Sequence, residues 1–120
     1  MPDRLPPAPV SRPVSEVKAE LFKALAHPAR IRALEVLAEG ESSVGELVPL
    51  VGIEASHLSQ QLAVLRRAGL VVSRRDGASV IYSIVDDQLV ELLAVAKRLL
   101  IDSLSHTEDV LADLRAAVQE

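Results

Sequence analysis

The side chains with the most chemistry to offer lie together in Ala55-Ser56-His57-Leu58-Ser59-Gln60-Gln61-Leu62-Ala63-Val64-Leu65-Arg66-Arg67. Ser56, His57, Ser59, Gln60 and Gln61 carry hydroxyl, imidazole and amide groups, nearly all able to donate and accept hydrogen bonds. Leu58, Leu62 and Leu65 recur at i, i+4 and i+7, the spacing of one helix face. The helix is therefore apolar on one side, hydrogen-bonding on the other, and ends in Arg66-Arg67. That pattern suits an ordinary amphipathic surface helix. It equally suits a helix lying in the major groove of double-stranded DNA, where Gln60 or Gln61 can pair bidentately with adenine. The surrounding elements have to decide between the two.

Other chemistry is sparse. Ser56, His57 and Ser59 fall within one turn, but successive helix positions point apart, and no glycine-rich elbow or orienting acid accompanies them. No phosphate-cradling glycine loop occurs, so an enzyme is not expected. The chain has no cysteine, which removes disulfides, thiolate metal sites and cysteine redox chemistry. Of the three histidines, His27 precedes Pro28 at a helix junction and is expected to make a structural hydrogen bond. His57 is a candidate base or phosphate contact.

Apolar residues make up 49% of the 120, and Phe22 and Tyr82 are the only aromatics, so the core must be aliphatic. The net charge of −4 conceals an uneven distribution. From residue 55 to 84, Arg66, Arg67, Arg74 and Arg75 stand against Asp76 alone; from 86 to 120, eight acids stand against three basic residues. No signal peptide is read at the N-terminus, and no run approaches the roughly 18 apolar residues of a membrane helix, so a cytoplasmic protein without membrane contact is expected.

Five of the seven prolines fall in residues 1–14, which are expected to form a flexible arm. Ser15 is the expected N-cap of a first helix running to about Ala26. Pro28 suits the first turn of a second, which should stop near Gly40. A third short helix is expected behind Ser42 or Ser43, with Ser43 and Glu46 at capping-box spacing and Pro49 ending or distorting it. Gly52 marks the turn into the polar helix, and this order is that of a helix-turn-helix whose second helix reads DNA. Beyond Gly69, two β-branched runs flank Asp76-Gly77-Ala78, a hairpin signal, and a hairpin with Arg74 and Arg75 near its tip is a wing. Asp86 should cap a helix over about 88–103 that is apolar almost all round. A single small domain covers only one side of such a helix, so a homodimer is expected. A break near His106 should precede a final helix over about 107–118, with Val110, Leu111, Leu114 and Val118 on one face. The expected fold is mainly α with a β-hairpin wing (α+β): an arm over 1–14, a winged helix-turn-helix domain over 15–104, and a C-terminal helix over 105–120 at the dimer seam.

Several strings resemble the ArsR-type (arsenic-repressor-like) winged helix-turn-helix regulators. They are Phe22-Lys23-Ala24-Leu25-Ala26-His27-Pro28-Ala29-Arg30-Ile31-Arg32, Ser59-Gln60-Gln61-Leu62 through Ala68-Gly69-Leu70-Val71, Arg75-Asp76-Gly77 and Ile81-Tyr82-Ser83. The likeness covers about residues 16–104. It implies a homodimer that binds imperfect inverted repeats and releases them when an inducer binds. Metal-sensing members carry Cys-x-Cys in the third helix, or Asp-x-His at the start of the dimer helix with further ligands about three turns on. Here the first stretch is Glu41-Ser42-Ser43-Val44-Gly45-Glu46-Leu47, the second begins Asp86-Asp87-Gln88, and the later positions are Leu99 and Asp102. The family's metal motifs are thus lacking and no cofactor is expected; His106 beside Glu108 or Asp109, across a dimer, leaves a non-standard metal site as an alternative. So does an unknown small-molecule inducer, and so does a winged helix turned protein-interaction module. Ser56, His57, Ser59, Gln60 and Gln61 are the expected base readers, and Arg66, Arg67, Arg74 and Arg75 the expected phosphate contacts.

Overall fold

The structure is a computed structural model and describes residues 12–119. The helices are α1 (Val14–Leu25), α2 (Pro28–Leu37), α3 (Val44–Val51), α4 (Ala55–Arg67) and α5 (Asp87–Gln119). The strands are β1 (Ser42–Ser43), β2 (Val71–Asp76) and β3 (Ser79–Ile84), paired antiparallel in the order β1-β3-β2. The proline-rich arm falls, for residues 1–11, outside the described residues.

Local chemistry sets most boundaries. His27 is the N-cap of α2, and its Nδ1 accepts from the Ala29 N–H at 3.0 Å, with Pro28 at the first position, where no N–H is needed. Ser43 caps α3 in a full capping box: the Glu46 N–H donates to Ser43 Oγ, and the Ser43 N–H donates to Glu46. These two bonds hold the Glu46 carboxyl below the usual glutamate range. Gly52 ends α3 at φ +83°, a left-handed conformation that glycine adopts without strain. In the β2–β3 hairpin Gly77 takes the first central turn position at φ +63°, as type II′ turns require.

Several boundaries differ from the sequence expectation. Helix α1 begins one residue before Ser15, after Pro13, and Ser15 caps nothing. Helix α2 ends at Leu37 rather than near Gly40. Pro49 neither ends nor shortens α3, which continues to Val51. One intrahelical bond, to the Gly45 carbonyl, is missing, while Leu47 is fully buried and Val48 and Val51 pack on the core, so packing outweighs the local defect. Asp86 does cap α5, accepting from the Gln88 N–H at 2.8 Å. No break occurs near His106: α5 is one 33-residue helix, so the expected separate helix over 107–118 and the boundary at 104/105 both fall inside it. Thr107 bonds back to the Ser103 carbonyl at 3.0 Å, as a hydroxyl does within a helix.

The core is built on Leu34, Leu47, Leu58, Leu62, Leu65 and Val71, all fully buried, with Leu25, Leu37, Tyr82 and Leu89 around them. Leu89 ties the start of α5 to this core, and the rest of that helix runs outward for about 45 Å at 1.5 Å per residue, giving extents of 65 × 54 × 22 Å. No described helix is long and apolar enough to cross a membrane. Leu62→Ala should destabilise the fold by about 2–5 kcal/mol and Ser43→Ala by about 1 kcal/mol, read from urea unfolding. The contribution of Glu46, whose folded pKa is lowered, should be full above the ordinary glutamate range and fade as pH falls through the lowered value.

Candidate nucleic-acid interface

Rotation of α4 about its own axis decides which side chains it offers. Leu58, Leu62 and Leu65 are fully buried, which points the opposite face outward. Ser56 and Gln60 lie on that outward face, with His57 and Ser59 exposed on its flanks. Arg66 and Arg67 are exposed at its C-terminal end. Helices α3 and α4 pack through Leu47 against this leucine stripe, so the outward face is held by the core rather than by a loop.

Gln61 does not belong to that set. It is 9% exposed, and its Oε1 accepts from Arg30 Nη1 at 3.0 Å. The physical reason is periodicity: about 100° per residue carries Gln61 from the outward face, where Gln60 lies, to the border of the leucine stripe. Its amide therefore holds α4 to α2 and is not presented to a groove. Arg30 also donates to the Lys23 carbonyl at 3.4 Å, so one guanidinium links α1, α2 and α4. Sequence reasoning missed Arg30. The signal was present: Arg30, Ala33, Leu34 and Leu37 share one face of α2, and a cation on an otherwise apolar face needs a partner.

The wing also separates its two arginines. Arg74 donates from Nη1 and Nη2 to the two carboxylate oxygens of Glu41, at 2.6 and 2.7 Å. This fork-on-carboxylate pairing holds the Glu41 carboxyl below its usual range and raises Arg74 further. Glu41 precedes β1, and β1 and β2 lie on either side of β3, so the two-residue strand β1 brings this acid within reach. Neither β1 nor its acid was read in the sequence. Arg74 is thus engaged within the chain, whereas Arg66, Arg67 and Arg75 are exposed with no carboxylate partner among the described residues.

His57 meets a neighbour that sequence distance hid. Its ring stands edge-on to His27, with centroids 6.0 Å apart. His27 is committed through Nδ1 to capping α2, so the pair links the start of α2 to the first turn of α4. His106, Glu108 and Asp109 are exposed on α5, and among the described residues no group of three or more potential metal ligands gathers in one chain.

Comparison with known proteins agrees with this architecture. The family profile "Bacterial regulatory protein, arsR family" matches residues 27–73. An HTH-type transcriptional regulator of Mycobacterium tuberculosis, Rv0081, is 59% identical over 107 residues, covering 88% of this chain and 94% of the relative. Its crystal structure superposes with a TM-score of 0.72 over 79% of this chain and 96% of that one. A biofilm growth-associated repressor of Agrobacterium fabrum is 42% identical over 87 residues, or 72% of this chain and 74% of the relative. The homodimeric winged helix-turn-helix DNA-binding domain of Mb0332 from Mycobacterium bovis, 30% identical, gives a TM-score of 0.70 over 78% of this chain and 86% of that domain.

The two glutamines should separate by readout. Gln61→Ala leaves Arg30 with a lost bond near the core and should cost about 1–3 kcal/mol of stability in urea unfolding. Gln60→Ala, on the outward face, should stay within about 0.5 kcal/mol of the parent. Equal stabilities for the two variants would place Gln61 on the surface instead.

Proposed function

The chain belongs to the arsR family of bacterial regulatory proteins, and on that premise we propose that it is a homodimeric transcriptional repressor that reads an inverted-repeat operator with the outward face of α4. The observation that carries this reading is the buried leucine stripe of α4, which turns Ser56 and Gln60 away from the core, flanked by His57 and Ser59. Gln60 is the principal candidate base reader, because it is the one exposed amide on that face. A good bidentate amide–adenine pair is worth about 1–3 kcal/mol of discrimination. Arg66, Arg67 and Arg75 serve the phosphates, which set affinity and register rather than sequence. Arg74 acts through Glu41 to stiffen the wing that carries Arg75.

The homodimer follows from what one chain leaves uncovered. Val14, Val17 and Phe22 on α1, with Val95, Leu99, Leu100, Ile101 and Leu104 on α5, are large apolar side chains between 45% and 67% exposed. Such a surface on two helices marks a protein interface. A two-fold axis there places two copies of α4 one DNA turn apart, roughly 34 Å, which matches an inverted repeat. Domain-wise, residues 14–119 act as one winged helix-turn-helix and dimerisation unit. Release from the operator requires an effector that binds the DNA-free form better than the bound one.

The test is a mobility-shift titration on the DNA upstream of the protein's own coding sequence, at several salt concentrations. Binding should be specific to an inverted repeat, and Gln60→Ala should lower discrimination about tenfold at one base position per half-site. Arg75→Ala should reduce the log–log salt slope by about 2 in the dimer. Sequence-independent binding would overturn the reading.

A further inference from the structure

A cleft of about 650 Å³ lies between α1, α2 and the C-terminal half of α4. Its size is that of pockets that hold small organic molecules. Four cations line it (Arg12, Lys23, Arg30 and Arg67) against a single carboxylate, Glu20. Glu20 is already paired with Arg12, so Lys23, Arg30 and Arg67 have no carboxylate to neutralise them among the described residues. Beside these charges Val17, Leu21 and Val64 give the cleft an apolar wall.

Arg30 is the informative member. Its guanidinium is half-buried, and its Nε is shut from solvent without a hydrogen-bond partner. A buried unpaired donor on a charged group is unfavourable by more than a neutral bond returns, and natural structures keep such groups where something else engages them. The two bonds it does make, to Gln61 Oε1 and the Lys23 carbonyl, go to neutral acceptors.

We propose that this cleft binds a small organic carboxylate, its charge met by Arg30, Lys23 and Arg67 and its hydrocarbon or aromatic body lying on Val17, Leu21 and Val64, and that occupancy opposes DNA binding. The mixed wall selects against inorganic phosphate, which has no apolar body to bury. The coupling runs through α4 itself. A carboxylate takes the guanidinium of Arg30 in preference to an amide oxygen, because charge-assisted bonds are about twice as strong. That loosens the bond from Arg30 to Gln61, the residue next to Gln60, and it engages Arg67 at the end of the same helix. Ligand and operator then draw on one helix, and each weakens the other by the same factor. The regulatory half of this proposal rests on the operator reading above, whereas the site itself does not.

Two measurements on the full chain keep those halves apart. The first needs no DNA: octanoate and benzoate are titrated against the amide NMR spectrum, with sodium chloride at matched ionic strength and inorganic phosphate as controls. Saturable shifts centred on Lys23, Ala24, Val64 and Ala68 are expected with at least one carboxylate and with neither control. Lys23→Ala, whose side chain carries none of the fold's hydrogen bonds, should weaken the binding several-fold at unchanged unfolding midpoint. No shifts at these residues, or equal shifts with phosphate or chloride, would overturn the site. The second repeats the operator titration with saturating carboxylate, which should weaken binding on the order of 10-fold. Unchanged operator affinity with the cleft occupied would overturn the coupling alone.

Discussion

The seating of α4 on the aliphatic core is the constraint on which the rest depends. Leu58, Leu62 and Leu65 are fully buried against Leu34 and Leu47, and with so few aromatics no larger side chain shares the task. Burying three leucines contributes about 5–9 kcal/mol in transfer terms, comparable to the whole net stability of a small domain. A rotation of α4 that moved one of them out would also move Ser56 and Gln60 in. Reader orientation and stability are therefore one property of this helix, and a groove-facing side chain can vary without touching the core that aims it.

Arg30 refines that seating at its edge. The leucines fix α4 to within the freedom of a greasy contact, and the directional bond to Gln61 narrows it. Gln61 was legible as polar and helical, but its burial was not. It stands at the border of the stripe, where periodicity assigns a residue to neither face, and only the presence of a donor on α2 decides the matter. Arg74 was obscured in a similar way. The hairpin and its arginines were readable from Asp76-Gly77 and the β-branched runs, whereas Glu41 enters through a two-residue strand too short to leave a pattern. The caps at His27, Ser43 and Asp86 were legible because each depends on residues within three positions of itself.

Local signals failed where packing outweighs them. Pro49 removes one hydrogen bond from α3, yet Leu47 on one side and Val51 on the other pack on the core and carry the helix through it. Near His106 the run Ser103-Leu104-Ser105-His106-Thr107 contains poor helix formers but neither glycine nor proline, and each residue there costs only a few tenths of a kcal/mol relative to alanine. Strong helix formers on both sides bridge such a stretch, so the helix continues.

That continuity matters for assembly. Beyond Leu93 no residue of α5 is buried by its own chain, and an isolated helix of this kind is only marginally stable in water. The apolar positions Leu100, Leu104, Leu111, Leu114 and Val118 recur at steps of three, four or seven, which is a stripe along one side rather than a scatter. Covering it requires another helix running alongside, and a second copy supplies one of equal length. The acids of the same segment (Asp102, Glu108, Asp109 and Asp113) give it a sign opposite to that of the reading end of the molecule. An acidic seam directs phosphates away from itself and leaves Arg66, Arg67 and Arg75 as the surface toward which DNA is drawn. One extended helix thus separates the end that pairs with its own kind from the end that meets the nucleic acid.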